Sequence, residues 1–196
     1  MKNTKFLLSG FFLITLASCM AQKNSIITEV DEAANNQPLE DSVINNLRND
    51  NDIVIAYAVE NFAWVKKINY TIVAQKNGEW KGFVYERSFM KQDPSQNINS
   101  ININKNACDS LIDYIQQAKA WTITGDNGTN FCTNSSRNCN INDAASGRLW
   151  IITKKSVINP SYYAPEFYEK CCPDKDRALF LSIKEKIEKA ANTKAQ

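Results

Sequence analysis

The dipeptide Asn77-Gly78 lies between two runs of alternating apolar and polar residues, and it is the strongest constraint on the fold. Asn-Gly is the preferred pair for a two-residue type I′ turn, which joins antiparallel strands whose twist it matches. In each run, residues of one kind recur at every second position. Before the turn these are Ile68, Tyr70, Ile72 and Ala74, and after it they are Trp80, Gly82, Val84 and Glu86. Because successive side chains of a strand point to opposite faces, the sequence predicts an antiparallel hairpin here.

Further strands are predicted on both sides of this hairpin. Ile53 to Glu60 and Leu149 to Ile152 are compact apolar runs, and the second is expected to be buried on both faces. Residues 98–103 supply a weaker strand in an Asn-rich stretch, whereas residues 160–173 are expected to be irregular and aromatic. The strands cluster early in the chain, which favours an antiparallel over a parallel sheet.

Three helices are predicted from apolar residues at helical spacing next to capping residues. Asp41 precedes the first, Asn106 or Asp109 the second, and Asp174 or Asp176 the last. The expected fold is therefore α+β, with an antiparallel sheet of four to six strands and about three helices, mainly on one face. The triplets that begin at Asp41 and Asp109 also resemble acceptors of a bacterial O-glycosylation system, in which Ser42 and Ser110 carry the glycan.

The amino end has the three parts of a secretory signal. Lys2 and Lys5 precede an apolar run from Phe6 to Leu16, and small residues follow it. The run is too short to cross a bilayer as a permanent helix, which needs about 20 apolar residues. Its last four residues, Leu16-Ala17-Ser18-Cys19, resemble the lipobox of bacterial lipoproteins.

The lipoprotein resemblance implies cleavage before Cys19, three acyl chains on that residue, and a stable membrane anchor. The predicted organisation is a signal peptide at 1–18, a flexible tether at 19–38 and a single globular domain at 39–196. Met20, where inner-membrane lipoproteins of enteric type carry Asp, is typical of the outer membrane. The expected location is the bacterial envelope, facing the periplasm or the cell surface.

Net charge excludes one class of partner. Removal of Lys2 and Lys5 with the leader leaves 21 basic groups against 21 acidic groups. No Lys/Arg cluster is interleaved with aromatic residues, as a nucleic-acid surface requires. We therefore expect the membrane as a partner, through Cys19, and no nucleic acid.

Five cysteines besides Cys19 enter an oxidising compartment, where disulfides form. Cys132 and Cys139 close a short loop, for which chain entropy gives about 2.5 kcal/mol, and they are the first predicted pair. Cys108 is expected to pair with one of the adjacent Cys171 and Cys172, which leaves the other as a free thiol.

Histidine is absent from the chain, which removes several enzyme classes. Ser-His-Asp and Cys-His catalysis, and general bases that titrate near neutral pH, all depend on an imidazole. The cysteines lack the paired Cys-x₂-Cys spacing of four-thiolate zinc sites, so no metal and no cofactor is predicted. Carboxylate chemistry, a lysine nucleophile or a lone thiol remain possible.

One aromatic segment is a candidate binding surface, formed by Tyr162, Tyr163, Glu166, Phe167 and Tyr168. Tyrosine combines a large contact area with a polar tip, which suits recognition. The same rings could instead complete the core beneath a loop that is held by a bridge to Cys171 or Cys172. Glu166 is the one acid in dense aromatic company, where burial could raise its pKa.

Two hypotheses of function follow. The first is a lipid-anchored, non-enzymatic envelope domain that binds a protein or a cell-wall or saccharide ligand, as an accessory or inhibitor-like protein. The second is a carboxylate-dependent hydrolase of envelope glycans or peptides, which needs two acids that converge in a pocket. A purely structural role in the envelope is a third possibility.

Overall fold

The computed structural model describes residues 26–33, 39, 41–61, 66–90, 95–126, 132 and 139–192. The helices are α1 (residues 26–33), α2 (Ser42–Asp50), α3 (Lys105–Gln117), α4 (Pro165–Cys171) and α5 (Lys175–Ala190). The strands are β1 (Ile53–Asn61), β2 (Lys67–Lys76), β3 (Glu79–Ser88), β4 (Gln96–Ile101), β5 (Ser146–Thr153), β6 (Val157–Ile158) and β7 (Ser161–Tyr163). They form one antiparallel sheet in the order β4-β3-β2-β1-β5-β6, with β7 also paired to β5.

The predicted hairpin is confirmed as β2 and β3. Lys76 pairs with Glu79 across a two-residue turn, in which Asn77 and Gly78 both have positive φ, at 51° and 85°. These angles are the type I′ requirement that selects Asn and Gly. The turn fixes the register of every other residue pair between β2 and β3, including Tyr70 opposite Tyr85.

The predicted α+β class is confirmed, with helices mainly on one face of the sheet. On the helical face, Ile55, Leu149 and Ile151 pack against α1, α3 and α5, including Phe180 and Ile183. The opposite face, called the α2 face below, is covered among the described elements by α2, through Ile44 and Leu47. The helix count exceeds the prediction because α1 and α4 are short and lack a long amphipathic pattern.

The predicted tether is wrong for residues 26–33, which form α1. Ile26 and Val30 are one helical turn apart and fully buried in the core of the helical face. The Thr153 hydroxyl donates a hydrogen bond to the Asp31 carboxylate, which joins α1 to the end of β5. A helix of only about two turns gives little periodicity to read, and its burial depends on contacts far along the chain.

Two of the three predicted helix caps are confirmed. Asp41 caps α2 and Asp174 caps α5, each accepting hydrogen bonds from two backbone N–H groups. The prediction of Asn106 or Asp109 for α3 is wrong, because the cap is Asn104. The Asn104 N–H donates to the Ala190 carbonyl of α5, so tertiary contact sets where α3 begins. Asp109 instead accepts a hydrogen bond from Trp80 Nε1 at 2.8 Å.

The expectation of an irregular segment over residues 160–173 is also wrong. Ser161–Tyr163 pair with β5 as strand β7, and Pro165 opens α4 from the position that suits proline in a helix. Within the described residues, no helix is long and apolar enough to span a membrane.

Candidate functional site

The predicted aromatic binding surface is not assembled as one surface. Tyr162 and Tyr168 are buried, and the Tyr162 ring packs edge-to-face on Phe180 with ring centres 4.9 Å apart. The Tyr163 hydroxyl accepts a hydrogen bond from the Ala144 N–H at 3.0 Å and donates to the Ile141 carbonyl at 3.3 Å. These rings complete the core at the sheet edge, as the alternative interpretation proposed.

Glu166 is no candidate for a buried catalytic acid. Its side chain is half exposed, and its carboxylate accepts a hydrogen bond from Lys184 Nζ at 2.6 Å. Phe167 is partly buried and packs edge-to-face on Tyr168. The segment therefore presents one solvated acid and partly covered rings rather than a cleft.

Disulfide formation is confirmed, but the predicted pairing is wrong. The bridges join Cys132 to Cys172 and Cys139 to Cys171, while Cys108 is a free thiol. The end of α4 brings both adjacent cysteines to the loop that precedes β5, so each finds a partner there without a strained vicinal bridge. Cys108 faces the core from α3, and burial raises the pKa of its thiol to about 11.

Cys19, the predicted lipidation site, lies outside the described residues. The two candidate glycosylation serines lie on helices. Ser42 is the first residue of α2, and the Ser110 hydroxyl donates to the Asn106 carbonyl within α3. Among the described residues, no group of three or more His, Cys, Asp or Glu side chains could hold a metal ion.

A polar cluster on the α2 face is the best-built candidate site. It starts with Tyr70 and Tyr85, which lie opposite each other in the hairpin with rings stacked 5.1 Å apart. The Tyr85 hydroxyl donates to Asp41 Oδ2 at 3.0 Å. Arg87, two residues further along β3 and on the same face, donates to the same oxygen at 2.9 Å.

Asp41 is fully engaged by these contacts. Its Oδ1 accepts hydrogen bonds from the N–H groups of Val43 and Ile44, while its Oδ2 binds Tyr85 and Arg87. One buried carboxylate thus caps α2 and fastens that helix to β3.

A second ion pair lies on the β5 side of the same face. Arg148 donates to Glu60 through Nε at 2.6 Å and Nη2 at 3.2 Å, a bidentate arrangement that orients both groups. Its guanidinium also lies 5.9 Å from the centre of the Trp150 ring. Ala58 is paired with Arg148 on one side and with Tyr70 on the other, so the ion pair and the phenol flank a small residue.

Tyr70 is the unusual member of the cluster. Its side chain is 5 % exposed, yet its hydroxyl makes no hydrogen bond with any described residue. Burial raises the pKa of Tyr70 well above its usual value; Asp41 and Glu60 add to the rise, and Arg87 and Arg148 oppose it. The phenol is therefore a neutral hydrogen-bond donor and acceptor at physiological pH.

Trp150 supplies a second donor without a partner. Its Nε1 is sealed from solvent and has no hydrogen-bond partner among the described residues. Trp150 pairs with Ala56, the next residue of β1 on the same face as Ala58. Unpaired buried donors are rare in native proteins because each costs about 1–3 kcal/mol. We call Tyr70, Trp150, Arg148, Glu60, Arg87 and Asp41, with their two alanines, the Tyr70 site.

The charges of the Tyr70 site decide what it can bind. Two arginines and two carboxylates cancel, and each ion pair is already satisfied internally. The groups left over are the neutral phenol of Tyr70 and the partly exposed ring of Trp150. Such a combination suits a neutral, hydroxyl-bearing ligand better than an ion.

Part of this site was visible in the sequence. A two-residue turn at Asn77-Gly78 pairs residues equidistant from it, which already places Tyr70 opposite Tyr85. Nothing local indicates that Asp41 caps a helix above these rings, or that Arg148 and Glu60 meet from strands 88 residues apart. No protein-family model matches the chain, and a search of curated proteins finds no similar sequence.

Proposed function

We propose that the protein is a non-enzymatic domain of the bacterial envelope, anchored by lipid on Cys19, that binds a saccharide at the Tyr70 site. The observation that carries this proposal is the Tyr70 hydroxyl, which lies between two satisfied ion pairs and has no hydrogen-bond partner among the described residues. A fixed donor that no described residue pairs favours a ligand that supplies the partner.

The chemistry of a sugar fits the groups on this face. Saccharide hydroxyls both donate and accept, so they can pair with Tyr70 Oη without disturbing either arginine. The partly exposed ring of Trp150 supplies aromatic surface beside these polar groups. A charged ligand would have to displace Glu60 or Asp41 from its arginine, which costs several kcal/mol for a desolvated pair.

The same geometry argues against a carboxylate-dependent hydrolase at this site. Both oxygens of Asp41 and both oxygens of Glu60 already accept hydrogen bonds. A general acid must instead carry a proton and reach the leaving group, and a base must reach water. These acids act as structural anchors for α2 and for the arginines.

Replacing Tyr70 with phenylalanine tests the binding site. Tyr70→Phe keeps the stacked ring but removes the hydroxyl, so we expect saccharide affinity to fall about tenfold, as for the loss of one hydrogen bond of about 1.4 kcal/mol. Unfolding free energy should change little because no residue in the described part of the chain forms a hydrogen bond with this hydroxyl. Titration calorimetry with neutral oligosaccharides and solubilised cell-wall fragments measures the affinity.

Tyr114→Phe is the matched control, since that ring lies on α3 beneath Lys186 and away from the α2 face. Its affinity should equal that of the unaltered protein. Equal affinity of Tyr70→Phe and Tyr114→Phe, or no saccharide binding by the unaltered protein, would contradict the proposal.

The anchor is tested by metabolic labelling with palmitate in the producing bacterium. We expect label on the unaltered chain, no label on Cys19→Ala, and full label on Cys108→Ala, because Cys108 is sealed in the core. Gel fluorography of the isolated chain gives the readout. A blank wild-type band, or label that persists in Cys19→Ala, would show that the leader does not act as a lipobox.

A further inference from the structure

The exposed large apolar side chains of the described residues lie on or next to the last two strands of the sheet order, β3 and β4. They are Phe89 and Met90, which follow β3, and Ile98, which lies on β4; each is 38–41 % exposed. Ile98 and Phe83 lie on the same face of this edge. The Arg87 guanidinium carbon lies 4.5 Å from the centre of the Phe89 ring. An exposed apolar side chain on an edge strand can be covered by a strand that pairs with that edge.

Among the described residues, no strand pairs with the outer side of β4. Ser88 donates its N–H to the Ser95 carbonyl, so the alternation of an antiparallel ladder turns Asn97, Asn99 and Ile101 toward β3. The N–H and C=O groups of Gln96, Ile98 and Ser100 therefore point away from the sheet, where the strand order ends.

This edge lacks the devices that usually prevent strand pairing. Natural edge strands carry lysine, proline or inward charges, or are very short. The opposite edge follows that rule, since β6 and β7 have two and three residues with Pro160 between them. In contrast, β4 has six residues, none of them charged and none proline.

We propose that β4 pairs with β4 of a second copy of this chain, antiparallel, about a two-fold axis at Ile98. The axis is perpendicular to the sheet, so each face continues across the junction. Ile98 then lies opposite Ile98 of the second copy, Gln96 opposite Ser100, and Asn97 opposite Asn99. The three outward-pointing residues of each copy form the hydrogen-bonded pairs, and the sheet becomes continuous.

A second copy fits this edge because the strand is complementary to itself. The central pair is apolar and covers an exposed isoleucine, the flanking pairs match amide with hydroxyl or amide, and no like charges meet. Isologous contacts of this kind are the commonest in soluble oligomers. One short strand buries less than the 1,200–2,000 Å² of a standard interface, so the dimer should be weak in solution and stronger when both copies share a membrane.

A cysteine at the two-fold axis tests the register. Ile98→Cys, in the mature lipidated chain reconstituted into phosphatidylcholine vesicles, places two thiols on a hydrogen-bonded pair whose Cα atoms lie about 5.5 Å apart, within disulfide range. Under mild oxidation we expect a covalent dimer on non-reducing electrophoresis. The four bridged cysteines and the sealed Cys108 do not compete for this reaction.

Asn99→Cys is the matched control on the same strand. In the proposed register Asn99 faces Asn97 of the second copy. The Cα atoms of the two Asn99 residues then lie farther apart than the roughly 7 Å that a disulfide can bridge. Its dimer yield should be at least tenfold below that of Ile98→Cys, whereas mixed Asn97→Cys and Asn99→Cys chains should cross-link. Equal yields, or none from Ile98→Cys, would overturn the proposal.

A non-covalent measurement keeps the test independent of oxidation. Ile98→Lys brings two like charges together at the axis, and energy transfer between labelled copies in vesicles should show at least a tenfold weaker dimer. Circular dichroism checks that the variant is folded. Tyr70→Phe should leave dimerisation unchanged, so failure of this proposal and failure of saccharide binding are distinguishable. Unchanged self-association of folded Ile98→Lys would remove β4 as the contact.

Discussion

Serine substitution at all four bridged cysteines is expected to lower the free energy of unfolding by about 6 kcal/mol, enough to unfold a domain of ordinary stability. The bridges span sequence separations of 40 and 32 residues, and the shorter loop lies inside the longer one. A single cross-link over such a loop restricts the unfolded chain by about 4 kcal/mol. Once one bridge is present, the second closes only about eight further residues and adds about 2.5 kcal/mol.

This nesting makes the expected losses non-additive. Removing either bridge alone, as Cys132→Ser with Cys172→Ser or Cys139→Ser with Cys171→Ser, should cost about 2.5 kcal/mol. Removing both should cost more than the sum, because the remaining bridge no longer limits the unfolded chain. Urea denaturation of the two double variants and the quadruple variant measures these differences. Strictly additive losses would show that the bridges act on native contacts instead.

The location of the bridges explains why they matter. Cys139, Ala164 and Tyr168 form a small apolar cluster of their own, separate from the two main cores. Three buried residues supply little hydrophobic stabilisation. The disulfides therefore hold Cys132 and Cys139 against the end of α4, where packing among the described residues is weak.

Asp41→Ala is expected to lower the free energy of unfolding by about 3 kcal/mol. The loss of an N-cap costs about 1 kcal/mol, and Arg87 and the Tyr85 hydroxyl lose their shared partner in a mostly buried position. The second loss should exceed the first because removing one partner leaves a charge uncompensated. Thermal and urea unfolding monitored by far-ultraviolet circular dichroism give the difference.

Asp41→Asn separates the two contributions. Asparagine is as good an N-cap as aspartate and still accepts a hydrogen bond from Tyr85, but it carries no charge for Arg87. We expect a loss of about 1–2 kcal/mol, between that of Asp41→Ala and the unaltered protein. Equal losses for the two variants would mean that the charge alone matters, and a loss below 1 kcal/mol for Asp41→Ala would mean that α2 does not depend on this carboxylate.

The sequence predicts the local structure correctly where one short segment determines it. Asn77-Gly78 determines a hairpin because only residues that tolerate positive φ fit its turn. Asp41 and Asp174 are readable as caps because their carboxylates reach N–H groups two and three residues away. The apolar run of β5 likewise indicates a buried strand before any neighbour is known.

The predictions that were wrong concern contacts between segments that are distant in the sequence. Cys132 and Cys139 are close in sequence, but α4 offers each of them a partner on another element. Residues 26–33 are too few to show a sustained apolar repeat, but Ile26 and Val30 pack into the core with α3, α5 and the sheet. The aromatic segment at 162–168 could be a surface or a lid, and only its position over Phe180 decides between them.

By itself the sequence determined the fold class, the central hairpin and two helix caps, since these depend on backbone angles and on contacts within a few residues. Only the tertiary structure decided the disulfide partners, the burial of α1 and the assembly of the Tyr70 site. Pairing β1 with β5 brings Arg148 to Glu60 and to the neighbourhood of Tyr70, and α2 brings Asp41 to Tyr85. Such contacts depend on which strands become neighbours, and no local pattern of residues encodes that choice.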